Sequence, residues 1–433
     1  MKRMSLAALA VVGGLAAMPT VAQAAPAAVS EVKLAWAEPG KVRISWTEAA
    51  GIANDVYLEV SGQQAQRIGT TTATGANELV VPAAALRPTH DAASTARIFV
   101  ADPSTAGARS ASFDRYSRGG TAVAWGIVRG AAQWTFAADT AADTTPNDPL
   151  DTDTPARITP ELTRLKAGTA AQCETVSLPA TTNEYGQVPA QAGAYALDLI
   201  RTTEWGQTKL SSVRTRTATV AFSTPASGIY GAKVTMTGSV ALRKLSNPAA
   251  GDCGSVADTV NLGGHQMSLH GRNSATAAWY GIGVSKTDAQ GKYTFVISNP
   301  GAREYRAILN ESNVGAGTLN YQSISATKAI RATPQVLAAG FSDSDITLGQ
   351  QPNATVTVAP YGSHQVALQF KNSSGQWQGL MYRTLVNGSA QSGPFAFNRV
   401  GTHQFRWWVA ASTSSQGLPV DAGYTYPFSL TVR

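Results

Sequence analysis

Residue types able to do chemistry are few in this chain, and they are scattered. Histidine occurs five times, as His90, His265, His270, His364 and His403. No H-E-x-x-H spacing puts two of them on one metal. No G-x-S-x-G elbow exposes a serine nucleophile. His265 and His270 stand five apart on a stretch that reads as a strand, so they face opposite ways. Glycoside hydrolysis needs two carboxylates held at a set separation. The densest acidic stretch, Asp139, Asp143, Asp148, Asp151 and Asp153, lies among Pro, Thr and Ala. It reads as a solvated linker loop. A calcium-stabilised loop is the alternative, although EF-hand spacing and its turn glycine are missing. Asp343 and Asp345 make a shorter pair of the same kind. No cofactor and no metal are expected from these patterns, and no enzymatic activity.

Aromatic residues remain as candidates. In Phe405-Arg406-Trp407-Trp408-Val409, successive side chains point to opposite faces of a strand. With Phe405, Trp407 and Val409 turned inward, Arg406 and Trp408 point outward. An outward Trp beside an Arg can stack on a sugar ring or on a partner, or be covered by a loop or a neighbouring domain. Trp408 and Arg406 are therefore the ligand-binding candidates.

A repeat supplies the elements that would position these residues. One copy reads His265-Gln266-Met267-Ser268-Leu269, then Trp279, Tyr293-Thr294-Phe295, Gly301 and Tyr305. The next reads His364-Gln365-Val366-Ala367-Leu368, then Trp377, Phe395-Ala396-Phe397, Gly401 and Phe405. The offsets are 99, 98, 102, 100 and 100 residues. That period exceeds solenoid units of about 20 to 50 residues and matches a β-sandwich of about 100. Shared positions such as His265 and His364, or Trp279 and Trp377, then read as structural, the tryptophans as core or strand-end packing.

Other stretches alternate in the same way. Val42, Ile44 and Trp46 fall on one face of Val42-Arg43-Ile44-Ser45-Trp46-Thr47. Asp55–Val60, Glu78–Pro82, Ala96–Asp102 and Ser110–Phe113 follow as short strands with turn residues between. This unit, with its second-strand Trp46 and later Leu79, resembles a fibronectin type III domain. One departure is the absent Tyr on the sixth strand, where Arg97 or Phe99 stands. Tyr195-Ala196-Leu197-Asp198-Leu199, leading to Glu204-Trp205-Gly206, resembles the last hairpin of a second, degenerate copy. The run Thr287-Asp288-Ala289-Gln290-Gly291-Lys292-Tyr293-Thr294-Phe295 resembles a hairpin of Ig-like repeats in secreted actinobacterial surface proteins. The fold expected is all-β, with tandem Ig-like and fibronectin type III-like sandwiches at 28–118, 119–217, 218–331 and 332–433.

The start of the chain reads as an export signal over 1–24. Lys2 and Arg3 precede an apolar stretch, and Ala22-Gln23-Ala24 offers a cleavage site. About 409 residues remain, enough for three or four domains. In an exported protein, Cys173 and Cys253 are expected to pair. Charged residues make up 14%, and the net charge of +7 falls to +5 without Lys2 and Arg3. No Lys/Arg cluster accompanies that charge, so no nucleic-acid partner is expected. No transmembrane tail follows the closing strand. Leu178-Pro179-Ala180-Thr181 fits a sortase motif, but about 250 residues follow it. The function expected is that of a secreted, extracellular, non-catalytic surface or matrix protein. Its partners would be a cell-wall glycan, a polysaccharide or a surface protein. The alternative is an accessory polysaccharide-binding protein of an extracellular carbohydrate-degrading system. An unrecognised enzyme is a third reading.

Overall fold

A computed structural model describes residues 28–433 apart from 50, 102–106, 118–122, 136–144, 146, 153–156, 190, 192 and 316. The expected export signal over 1–24 lies outside the described residues. Strands dominate, and the only helices among the described residues are two short 3-10 turns, Ala83–Leu86 and Pro248–Ala250. No helix is long and apolar enough to cross a membrane. Many Val, Thr and Ile residues in alternation, broken by Gly and Pro, favour pleated strands with tight turns.

The chain divides into two compact units, the first holding residues up to 119 together with 139–156 and 202–207. In this first unit Ser30–Glu38, Lys41–Thr47 and Glu78–Pro82 form one antiparallel sheet, in that order. Gln66–Thr70, Asp55–Val60, Thr95–Ala101 and Ala108–Arg109 form the other. Three strands face four, the sandwich arrangement of Ig-like and fibronectin type III domains. Val42, Ile44 and Trp46 are buried together against Val56, Leu58, Ile98 and Val100. Leu79 packs half-buried on the same cluster. On Thr95–Ala101 the inward seats go to Ala96, Ile98 and Val100. Phe99 lies outside, 6.2 Å from the Tyr57 ring and beneath the Arg109 guanidinium.

Two-sheet sandwiches recur three times in the second unit, first with three strands against four and then, in the two repeat copies, with a six-stranded sheet on one side. Ala124–Val128, Ala131–Thr135 and Tyr185–Val188 oppose a sheet of Cys173–Ser177, Arg157–Leu165, Tyr195–Thr203 and the start of Gly206–Ser223. Trp134, Tyr195, Leu197 and Leu199 fill that core. Leu178 and Thr181, of the sortase-like tetrapeptide, are hydrogen-bonded into this sandwich through Pro160 and Ile158.

The two remaining cores belong to the repeat. In one, Met267, Leu269, Phe295 and Tyr305 are buried; in the other, Val366, Leu368, Phe405 and Trp407. Their first strands share an unusual crossing. Ser227–Ile229 leaves one sheet to pair parallel with Lys328–Thr333 in the other. Asp345–Ile346 does the same beside Phe428–Val432. Gly301 and Gly401 sit at φ +127° and +111°, a region that favours glycine, which accounts for their recurrence. One matched pair of the repeat is not equivalent in space. Tyr293-Thr294-Phe295 lies in strand Lys292–Ser298, whereas its counterpart strand is Ser389–Gln391. Phe395-Ala396-Phe397 follows that strand in an irregular segment. Phe397 still reaches the core, against Phe370 and Phe405. The odd offset of 102 marks this slip.

No linker separates the first two sandwiches of this unit. The 18-residue strand Gly206–Ser223 leaves one and pairs, from Thr217 onward, with Thr237–Arg243 of the next. The 15-residue strand Lys233–Asn247 runs back and pairs with Asp252–Asp258. There Cys253 meets Cys173 in the expected disulfide, with Cα atoms 5.0 Å apart. Leu165, Ala194 and Leu245 pack around it.

Candidate functional site

Strand Gly401–Val409 displays the alternation its sequence dictates. Phe405, Trp407 and Val409 are fully buried, and Arg406 and Trp408 between them are half-buried on the other face. The Trp407 indole N–H donates to the Thr355 carbonyl at 3.1 Å, which satisfies the one polar atom it carries into the core. Arg406 donates from Nε to Gln369 Oε1 at 2.8 Å. Its guanidinium carbon lies 4.4 Å from the Trp377 ring centroid and 3.8 Å from that of Tyr424. The arginine is thus held between two aromatic faces, an attraction of about 0.5–2 kcal/mol for each ring.

Trp408 stands beside Ala367 on one neighbouring strand and Tyr424 on the other. Tyr382 stands across Ala367 on the next strand. Directly opposed residues point to the same face of a sheet. One row across four strands therefore reads Tyr382, Ala367, Trp408, Tyr424. Tyr382 and Tyr424 are 66% and 54% exposed, so this row faces solvent.

The repeat-equivalent tryptophans are not core residues but stand at strand starts, Trp377 opening Trp377–Thr384 and Trp279 just before Tyr280–Lys286. Trp279 and Trp377 are half-exposed on the outer faces. Trp279 lies 4.6 Å from the Arg272 guanidinium and 4.2 Å from that of Arg306. The recurring element is a Trp laid over an Arg of the central strand, a pairing that hydrophobic alternation alone does not signal. A shared Arg306/Arg406 position at an offset of 100 was its one visible trace.

The histidines are placed apart. His265 is buried, and His270, on strand Gln266–Arg272, is half-buried on the opposite face. The backbone carbonyls of His265 and His364 accept equivalent bonds, from the Thr287 and Leu385 N–H groups. His265 Nε2 meets the Asn261 carbonyl at 2.8 Å, and its Nδ1 lies 3.3 Å from Asn320 Nδ2. The carbonyl accepts and the amide donates, so the ring is neutral with its proton on Nε2. Asn320 Oδ1 accepts in turn from Arg216 Nε at 2.7 Å. Arg216 also pairs with Asp258 at 3.1 Å, and Lys244 bonds the other Asp258 oxygen. Burial works against the Asp258 charge, but its hydrogen bonds from Lys244, Arg216 and the Val260 N–H prevail and lower its pKa. Arg216, Asn320, His265 and Asp258 are all buried, so the network lies inside the fold.

Burial lowers the His265 pKa, and the nearby Arg216 charge lowers it further. Burial does the same to His270 and His364. A depressed folded-state pKa means that the unfolded chain takes up protons first as pH falls below about 6.5. Stability is therefore present above that pH and is lost as pH falls from 7 toward the folded values. Denaturant midpoints at pH 7 and 5 should show this loss, and His265→Gln should shrink it. An unchanged slope in that variant would remove His265 as its source.

In the first unit, Asp148 and Asp151 come together with Asp114, their carboxylate oxygens within 4.8 Å of one another. The segment is not a solvated linker here. Leu150 is 2% exposed within the core, and its carbonyl accepts from the Trp36 indole at 2.8 Å. Trp205 packs edge-on against Trp36, 5.4 Å away. Asp148 accepts from the Asp114 and Leu150 backbone N–H groups, and Asp114 from that of Tyr116. By distance the three could share a cation, but backbone donors already engage Asp114 and Asp148. Asp139, Asp143 and Asp153 lie outside the described residues. Asp345 pairs with Arg433, and Asp343 accepts from the Asp345 N–H.

No protein-family model matches the chain, and no curated protein does. Among solved structures, a tetra-tandem repeat from the extending region of a large adhesion protein is 11% identical. That match covers 93% of this chain and 99% of the repeat structure, with a TM-score of 0.24. The chicken CNTN1 FN1-FN3 domains are also 11% identical, covering 72% of this chain and 98% of theirs, with a TM-score of 0.18.

Proposed function

We propose that the chain is a secreted, non-catalytic surface or matrix protein whose sandwiches present faces for protein or glycan contact. The division into four domains at 28–118, 119–217, 218–331 and 332–433 is part of this reading. One observation carries it: the solvent-facing row of Tyr382, Trp408 and Tyr424 on the last sandwich. Aromatic residues set side by side on an open sheet face cost solubility and repay it when they are covered. The titratable side chains that look most like chemistry, those around His265 and Asp258, are spent on one another inside the fold.

The experiment is retention of the full mature chain on chitin, cellulose, peptidoglycan and whole cells, alongside hydrolysis assays on soluble polysaccharides. Retention without turnover is expected. Hydrolysis of any of them would overturn the reading, and retention on chitin or cellulose alone would favour the accessory polysaccharide-binding alternative.

A further inference from the structure

The two repeat copies differ in residues that face solvent. Ser268 takes the place of Ala367 in the earlier copy, flanked by Val284 and Ile308, with Ile324 beyond. The later copy sets Tyr382, Trp408 and Tyr424 at these places. Strand spacing puts Tyr382 and Trp408 about 10 Å apart across the small Ala367, the length of two linked pyranose rings. Rings so spaced on a flat sheet can stack on alternate sugars of an extended chain.

The charge of the face changes as well. In the earlier copy Arg272 is paired with Glu304 at 2.5 Å. In the later copy Lys371 and Gln404 stand at those two positions, so the cation stays and the carboxylate is gone. Trp377–Thr384, Gln365–Lys371, Gly401–Val409, Gly423–Tyr424 and Phe428–Val432 carry no acidic residue, and their outward cations are Lys371 and Arg406. Arg383 stands across the buried Val366 on the other face and donates to the Ser392 carbonyl. The sixth strand, Asp345–Ile346 at the far edge, brings one carboxylate, already paired with Arg433.

We infer that this face binds an acidic polysaccharide, sugar rings stacking on Tyr382 and Trp408 and sugar carboxylates meeting Lys371 and Arg406. The inference rests on the contact function proposed above and names its ligand class. A flat protein partner would have little use for unneutralised cations beside rings spaced two strands apart, and it becomes an outcome of the test.

Affinity electrophoresis of the full chain in gels containing polygalacturonate, hyaluronate or neutral dextran reads this directly. Retardation by at least one acidic polymer and not by dextran is expected, weakening as salt is raised. Trp408→Ala and Tyr382→Ala should each weaken it about tenfold or more, and Lys371→Glu should weaken it at low salt. Tyr382 and Lys371 are exposed, so those two variants decide the matter if Trp408→Ala does not fold. Equal retardation of the variants, retardation by dextran alone, or none in either acidic gel overturns the inference. So does capture of a protein partner through this face without glycan binding. Failure here with retention on cells intact leaves the broader contact function standing.

Discussion

Trp407→Ala is expected to destabilise the last sandwich by about 3–5 kcal/mol, and Trp408→Ala, one residue on, by about 1 kcal/mol or less. Both remove the same indole. Trp407 has no exposed surface, packs among Phe405, Leu368 and Val356, and places its N–H on Thr355. Its loss leaves a cavity and orphans that carbonyl. Trp408 covers Ala367 from outside and loses little that water does not replace. Hydrogen exchange read by mass spectrometry distinguishes the two. Amides of Gln365–Lys371 and Gly401–Val409 should lose protection in the first variant only. Equal losses would mean that the strand's inward and outward faces are assigned wrongly.

Reducing the Cys173–Cys253 bond is the other large effect. The bond closes a span of 80 residues, and the chain-entropy model gives that closure about 4 kcal/mol. Cys253 is fully buried against Leu245 and Ala194, so a free thiol there also loosens its packing. Urea denaturation with and without reductant should show a lower midpoint for the transition that exposes Trp134, with the transition of the Trp407 core unmoved. A reductant-insensitive midpoint would mean that the bond contributes nothing to stability.

Much of the fold was legible because alternation is a strong signal when one face is buried. Val42, Ile44 and Trp46 turn inward as their spacing requires, and so do Tyr195, Leu197 and Leu199. The disulfide was readable from an even cysteine count taken together with the export signal expected over 1–24. Other features carry no local signal. Asp114 is 34 residues from Asp148 and meets it only through the fold. Trp279 and Trp377 read as core or strand-end packing, and nothing local in the sequence shows that Arg306 and Arg406 use their ring faces. Phe395 and Phe397 mimic the Tyr293–Phe295 pattern because an irregular extended segment can also aim alternate rings inward. The aromatic row became visible only when register set Tyr382, Trp408 and Tyr424 side by side from three separate strands.

The Cys173–Cys253 bond also has a mechanical meaning. When the chain is pulled from its ends, tension crosses this stretch through the sulfur atoms and bypasses the loop between them, a sequence separation of 80. That loop would otherwise release about 280 Å of contour at full extension. A stretching measurement on the oxidised chain should therefore come up short by that length, and reductant should restore it.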